Sequence, residues 1–233
     1  MRVEDVYRLV GPEMRSVEEE LGRNLRSAIP LIPRAAGHLI FGGGKRLRPL
    51  ILILAARICG YRGEGHTKLA CALEYIHTAT LLHDDVVDEA DHRRGQASVN
   101  ALWGNETSVL LGDFLLARAF GLLVRWGTPR TLEVIAEATS RLAEGEIMEL
   151  MHRADLELSE RRYLTIISRK TASLFEAAGR IGAILGGAPP RAERAFGLFG
   201  RSLGMAFQMV DDAVSYTHLR AHETEADLVC RLL

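Results

Sequence analysis

The chain has 233 residues, 48% hydrophobic and 25% charged, with 29 Lys and Arg against 30 Asp and Glu for a formal charge of -1. That balance suits an ordinary globular chain with a substantial core and excludes the basic footprint of a nucleic-acid binder. No run reaches the ~18 apolar residues of a membrane span, the first five residues lack the apolar core of a signal peptide, and three unpatterned cysteines, Cys59, Cys71 and Cys230, suit a reducing, cytoplasmic setting.

Nearly every segment reads as helix. Apolar residues at helical spacing run from Val3 to Ser27, broken at Gly11-Pro12, and Pro30 and Pro33 bracket a turn before a short helix toward Phe41. Gly42-Gly43-Gly44 forces a loop, and Pro49 is placed to start the run to Cys59. A long helix follows from about Thr67 to Asp88, then an apolar pattern from Ala97 to Arg125 with a break near Trp103-Gly104-Asn105. Thr128-Pro129 supplies an N-cap and a first-turn proline for a helix to about Arg153. Ser159 opens the next, to about Arg169; Thr171 to Leu185 continues it after a small offset, and Arg191 to Val214 is helical again. No repeat or linker divides this region, so 1–214 reads as one all-α domain of packed helices.

Three stretches carry chemistry. The apolar run from Glu74 ends in Asp84, Asp85 and Asp88, and residues four apart share a helix face, so Asp84 and Asp88 project together with His77 two turns back. Three acids at a helix C-terminus oppose the helix dipole and repel one another, which points to a bound cation rather than a solvated end. Hard oxygens at this spacing suit Mg2+ with substrate phosphate completing its shell, and Arg93-Arg94 just beyond supplies phosphate donors.

Gly42-Gly43-Gly44-Lys45-Arg46-Leu47-Arg48 is either a flexible loop with solvated cations or an anion cradle of backbone N–H groups. It lacks the spacing and the preceding strand of a P-loop. Beside the acidic helix, the cradle is the better reading. Gln208, Asp211 and Asp212 crowd a second helix end, which suggests two carboxylate walls facing each other across a metal site. Lys170-Thr171, read alone, is a helix cap beside solvated cations. His83-Asp84 invites comparison with HD phosphohydrolases, but no partner set of His and Asp ligands stands out.

Taken together, GGGKRLRP at 42–49, LLHDDVVDEADHRRG at 81–95, KTASLFEAAG at 170–179 and GMAFQMVDD at 204–212 resemble the trans-isoprenyl diphosphate synthases, the polyprenyl synthetase family, in the family's order. The resemblance implies an all-α bundle of antiparallel helices around a central apolar cavity. It implies condensation of isopentenyl diphosphate with an allylic diphosphate, with Mg2+ as cofactor, and a homodimer. It assigns Lys45, Arg48, His77 and Arg94 to the isopentenyl diphosphate. Arg93, Lys170, Thr171 and Gln208 go to the allylic substrate. Asp84, Asp85, Asp88 and Asp211 go to the metal, and Asp212, with Lys170 and those aspartates, to the catalytic set. Ala79 and Thr80, the small residues five and four before Asp84, would leave a channel for a growing tail, hence a medium- or long-chain product of the octaprenyl type. A non-catalytic subunit of a heteromeric synthase is disfavoured by the intact first motif, and a class I terpene cyclase by the GGGKRLRP stretch and Arg93-Arg94.

The resemblance stops at Val214. Where the family has Asp-Asp-x-x-Asp, Ser215 stands at the last position, and 215–233 starts in mid-helix without the preceding apolar period. The tail reads as foreign sequence joined in frame, with the family's C-terminal helices missing. The expectation is a chain of poor stability and little activity.

Overall fold

The computed structural model describes residues 3–153, 155 and 157–219, the side chains of 3–4 and 215–219 left aside. The expected foreign tail thus lies outside the described residues beyond Leu219. Eleven helices carry almost all of the described structure. They are α1 (Val3–Leu9), α2 (Gly11–Asn24), α3 (Leu31–Ile40), α4 (Leu47–Ile58), α5 (Gly65–Val87), α6 (Val99–Trp103), α7 (Asn105–Trp126), α8 (Pro129–Met151), α9 (Glu160–Ile167), α10 (Ser173–Leu185) and α11 (Pro190–Leu219). A π-helical turn, Ser168–Ala172, joins α9 to α10 and is the physical form of the small offset read from the sequence.

Several boundaries differ from expectation for one reason. Pro33 and Pro49 each sit at the third position of a helix, inside α3 and α4 rather than before them. The first turn has no intrahelical partner for its N–H groups, so proline is tolerated throughout it. The stretch after α5 holds a two-stranded hairpin that periodicity did not foreshadow, β1 (His92–Arg93) and β2 (Gln96–Ala97), with Arg93 opposite Gln96. Its two turn residues, Arg94 and Gly95, both have positive φ, 52° and 75°, the signature of a type I′ hairpin turn. Thr128 caps α8 as expected, in a reciprocal box with Thr131.

The core gathers on α5 and α10. α5 packs on α7, α4 and α2, while α10 packs on α4, α8 and α11. Tyr75 on α5 is fully buried and donates to the Leu21 carbonyl at 2.6 Å, anchoring α2 to the centre. Glycine sets the tightest approach: a Cβ on Gly182 would stand 2.4 Å from the Leu52 carbonyl oxygen, so α10 lies directly against the α4 backbone.

Among the described residues, α7 is long and apolar enough by length and composition to cross a membrane, although Glu106, Asp113, Arg118 and Arg125 interrupt its apolar run. Only 39% of its most apolar 18-residue stretch is buried. Val109, Leu110, Phe120 and Val124 are exposed on it.

Candidate active site

A cavity of about 710 Å³ opens where α4, α5, α8, the π turn, α10 and α11 meet. It takes in most of the residues singled out above: Lys45, Arg48, His77, Thr80, Asp84, Arg93, Arg94, Lys170, Thr171, Gln208 and Asp211. Its apolar lining, including Leu142, Phe175 and Phe207, is interrupted by charge throughout.

The glycine loop forms the basic side. Arg46 takes the left-handed conformation, φ 46°, as N-cap of α4. Its guanidinium donates to Glu18 at 2.7 Å, to buried Glu74 at 2.9 Å and to the Ile40 carbonyl at 2.5 Å. Those three bonds take up its donors and fix the loop, leaving Lys45 and Arg48 to face the cavity. The Lys45 ammonium lies 5.5 Å above the Phe207 ring and the Arg48 guanidinium 4.5 Å above Phe175. Arg94 donates to the Gly43 carbonyl, closing the hairpin onto the loop.

Burial lowers the Arg48 guanidinium to about 10, with Glu74 opposing and Arg94 adding to the effect. It remains charged at neutral pH, and its Nε is buried without a partner. Burial, then Arg48 and Arg94, push His77 well below the usual imidazole range, so the ring is neutral. This corner gathers cations around one buried donor that lacks a partner, Arg48 Nε, the arrangement an oxyanion would complete.

The acidic side is divided. Asp84 faces the cavity, and burial raises its carboxyl to about 6, with Lys170 opposing and Asp88 adding. Asp85 does not face it. Its side chain is fully buried and accepts from Arg93 Nε at 2.7 Å and Nη2 at 2.6 Å. The expectation of Asp85 as a metal ligand is corrected: one residue along a helix turns the side chain by about 100°, which aims Asp85 into the protein. Asp88 caps α5 and is paired with Arg153 at the rim, outside the cavity lining.

The second acidic stretch repeats the division, but it lies inside α11, which continues to Leu219, and not at the helix end the sequence suggested. Asp211 lines the cavity, its carboxyl raised by burial against the pull of Lys45. Asp212 does not line it. It accepts from Tyr163 Oη at 2.6 Å and from Gln208 Nε2 at 2.8 Å, while Thr171 Oγ1 donates to Gln208 Oε1 at 2.7 Å. Asp212 therefore orients Gln208 and Thr171 rather than facing a ligand.

Lys170 is held from α8, by Glu146 at 2.8 Å and by Glu149. Burial works against its charge, but Glu149, Asp84 and Glu146 outweigh it and hold the ammonium above its ordinary range. Gly145 makes this possible, since a Cβ there would lie 2.4 Å from the Lys170 backbone nitrogen. Ala79 is fully buried and is not part of the cavity lining, whereas Thr80 is. His83 turns away toward α7, 3.2 Å from the Val109 carbonyl, and shares no site with Asp84.

Sequence reasoning assigned no role to Arg46, Glu74, Glu146, Glu149, Tyr163, Phe175 or Phe207. A signal existed for two of them. Glu146 and Glu149 stand three apart on one helix face immediately after Gly145, a pattern able to hold a cation. Tyr163 left no such trace, because its partner is 49 residues away.

The family profile described as polyprenyl synthetase matches residues 29–225. Octaprenyl diphosphate synthase of Escherichia coli (strain K12) is 45% identical over 216 residues, which is 93% of this chain and 67% of that protein. The corresponding protein of Haemophilus influenzae is 46% identical over 217 residues and 66% of its length. Among solved structures, a polyprenyl synthase from Caulobacter crescentus complexed with calcium and isoprenyl diphosphate aligns with a TM-score of 0.90 at 46% identity. That alignment covers 93% of this chain and 66% of that one. The chain thus spans about two thirds of the length of these relatives.

Proposed function

Because this chain belongs to the polyprenyl synthetase family, we propose that it serves prenyl transfer, in which isopentenyl diphosphate is joined to an allylic diphosphate to lengthen an all-trans chain. The observation that carries this reading is the single cavity holding Lys45, Arg48, His77 and Arg94 on one side and Asp84, Lys170, Gln208 and Asp211 on the other. Two phosphate-seeking groups of residues flank one space, as a reaction between two diphosphates requires.

Magnesium suits the acidic side. Asp84 and Asp211 offer hard oxygens from two walls, and burial raises the pKa of both carboxyls, as expected of anions short of countercharge. Among the described residues no three His, Cys, Asp or Glu side chains enclose an ion alone. That fits a cation which keeps water and substrate oxygens in its shell. When bound, Mg2+ would neutralise the leaving diphosphate. Calcium in the Caulobacter crescentus relative is consistent with a divalent site.

The chain's own residues do the rest. Lys45, Arg48 and Arg94 hold the isopentenyl diphosphate, and neutral His77 donates to or accepts from it without adding charge. Lys170, Arg93, Thr171 and Gln208 bind the allylic diphosphate, whose departing oxygens gain charge as the C–O bond breaks. The isopentenyl double bond then attacks the allylic cation, and loss of a proton leaves a new double bond. Leu142, Phe175 and Phe207 keep water from that cation. No side chain is needed as a nucleophile.

The octaprenyl relatives and the small residues Ala79 and Thr80 favour a medium- or long-chain product made in the cytoplasm. The exposed apolar face of α7, with Leu110 at 68% and Val124 at 74% exposure, is the surface for a second copy of the chain. The decisive experiment is turnover of labelled isopentenyl diphosphate with an allylic primer and Mg2+. Extension lost in K45Q/R48Q supports the reading, and extension unaffected by it sinks the assignment. A79F in an active homologue should shorten the product, and V124E should yield monomer in sedimentation.

A further inference from the structure

A second cavity, of about 590 Å³, flanks the π turn. It shares no lining residue with the first cavity, yet four of the same elements, α8, the π turn, α10 and α11, wall both. Arg141 stands next to Leu142 on α8, Ser168 and Arg169 directly precede Lys170, and Arg201 and Met205 share α11 with Phe207. Four guanidiniums, Arg141, Arg161, Arg169 and Arg201, converge here from four separate elements against two carboxylates, Glu160 and Glu176.

The pairing is incomplete. Arg169 is engaged by Glu144, and Arg141 reaches Glu176 only at 3.5 Å. The Arg141 Nε is buried with no hydrogen-bond partner. Arg201 donates to Ser168 Oγ at 2.9 Å, and among the described residues neither it nor Arg161 makes an ion pair. A buried donor left unsatisfied is unfavourable unless something else fills the site. Converging guanidiniums match the paired oxygens of a phosphate better than any other common ligand.

We propose that this cavity is a second binding site for a diphosphate group, separate from the cavity where prenyl transfer takes place. The group is carried either by free inorganic diphosphate or by a prenyl diphosphate whose tail lies along Leu164 and Met205. A ligand drawing on Ser168, Arg169 and Arg201 pulls on the same five-residue turn that carries Lys170 and Thr171. The site stands on its own geometry, and failure of the prenyl-transfer reading would leave it intact.

The test is equilibrium binding of inorganic diphosphate to the 233-residue chain without divalent metal, run in parallel with geranyl diphosphate. The wild type should bind one diphosphate per chain beyond those held in the first cavity. R161Q/R201Q should weaken that additional site at least tenfold and spare the rest, whereas K45Q/R48Q should leave it intact and weaken binding in the first cavity. Equal affinity for the two probes at the second site identifies the head group alone as the ligand, and tighter geranyl diphosphate binding adds the tail. R161Q alone, at an exposed position, gives a second reading should the double variant fold poorly. A single wild-type site abolished by K45Q/R48Q, or a wild-type binding curve in the arginine variants, overturns the proposal.

Discussion

The C-terminal end of α5 and the Gln208–Asp212 stretch within α11 are built to one plan and held by different forces. Each presents two consecutive aspartates. One faces the cavity, Asp84 or Asp211, and its neighbour, Asp85 or Asp212, turns away to fix another residue. At α5 the fixing contact is an ion pair, with Asp85 fully buried and Arg93 27% exposed. At α11 it joins a carboxylate to the uncharged groups of Tyr163 and Gln208 in a half-buried setting. A doubled aspartate therefore does not present two carboxylates to the cavity; it presents one and anchors with the other. The anchor's chemistry decides how firmly each wall is set.

The comparison breaks most visibly at Asp85. D85N keeps the shape but leaves Arg93 without its counterion. Removing one partner of a buried pair typically costs about 3–5 kcal/mol, so urea unfolding should show a loss near that range, with weaker hold on the allylic substrate. A loss no larger than that of Y163F would erase the distinction between the two walls.

Next in size is Asp84, and its sign is opposite. Its folded pKa of about 6 lies above the usual 3.8, so the native state binds the proton more tightly than the unfolded chain. Stability then falls as pH rises from about 4 through 6, and the ionised carboxylate destabilises the metal-free fold at neutral pH. D84N should raise stability at pH 7 by about 2–3 kcal/mol with a chelator present. The two proteins should converge below pH 4, and activity should be lost. A D84N protein no more stable than the wild type at pH 7 would contradict the burial argument.

The smallest effect belongs to Tyr163. Y163F removes one hydrogen bond to Asp212, worth about 1 kcal/mol or somewhat more because the acceptor is charged. It should loosen Gln208 and Thr171, raising KM for the allylic diphosphate more than it lowers kcat. The conservative change at the other wall, R93K, should by contrast affect both, since lysine cannot reproduce the two-nitrogen contact with Asp85.

Much of this was legible in the sequence. Helical period and proline placement marked nearly every helix, and most of the motif residues line one cavity, Asp85, Asp88 and Asp212 being the exceptions among the acids. What stayed hidden depends on distance along the chain or on rotation about a helix. Periodicity marked Asp84 and Asp85 alike as acids at a helix end, and only the packing of Arg93 from the β1–β2 hairpin separates them. That hairpin was missed because Arg94, not Asn or Asp, precedes Gly95 in its turn. Glu74 read as an ordinary helix residue until Arg46 came across from a loop 28 positions away. The apolar character of α7 was hidden for a similar reason. Scattered polar residues interrupt its apolar run in sequence, yet the helix as a whole is apolar enough to span a bilayer.

The π turn at Ser168–Ala172 has one further consequence. A π turn holds one residue more than an α-helix would across the same rise. Deleting one residue between 168 and 172 would let the turn close as ordinary α-helix and take up the shortfall on the spot, so α9, with Tyr163, and α10 would keep their present faces while the backbone carrying Lys170 and Thr171 moved. The extra residue behaves like a leap day: it is absorbed where it falls, and the calendars on either side keep their dates.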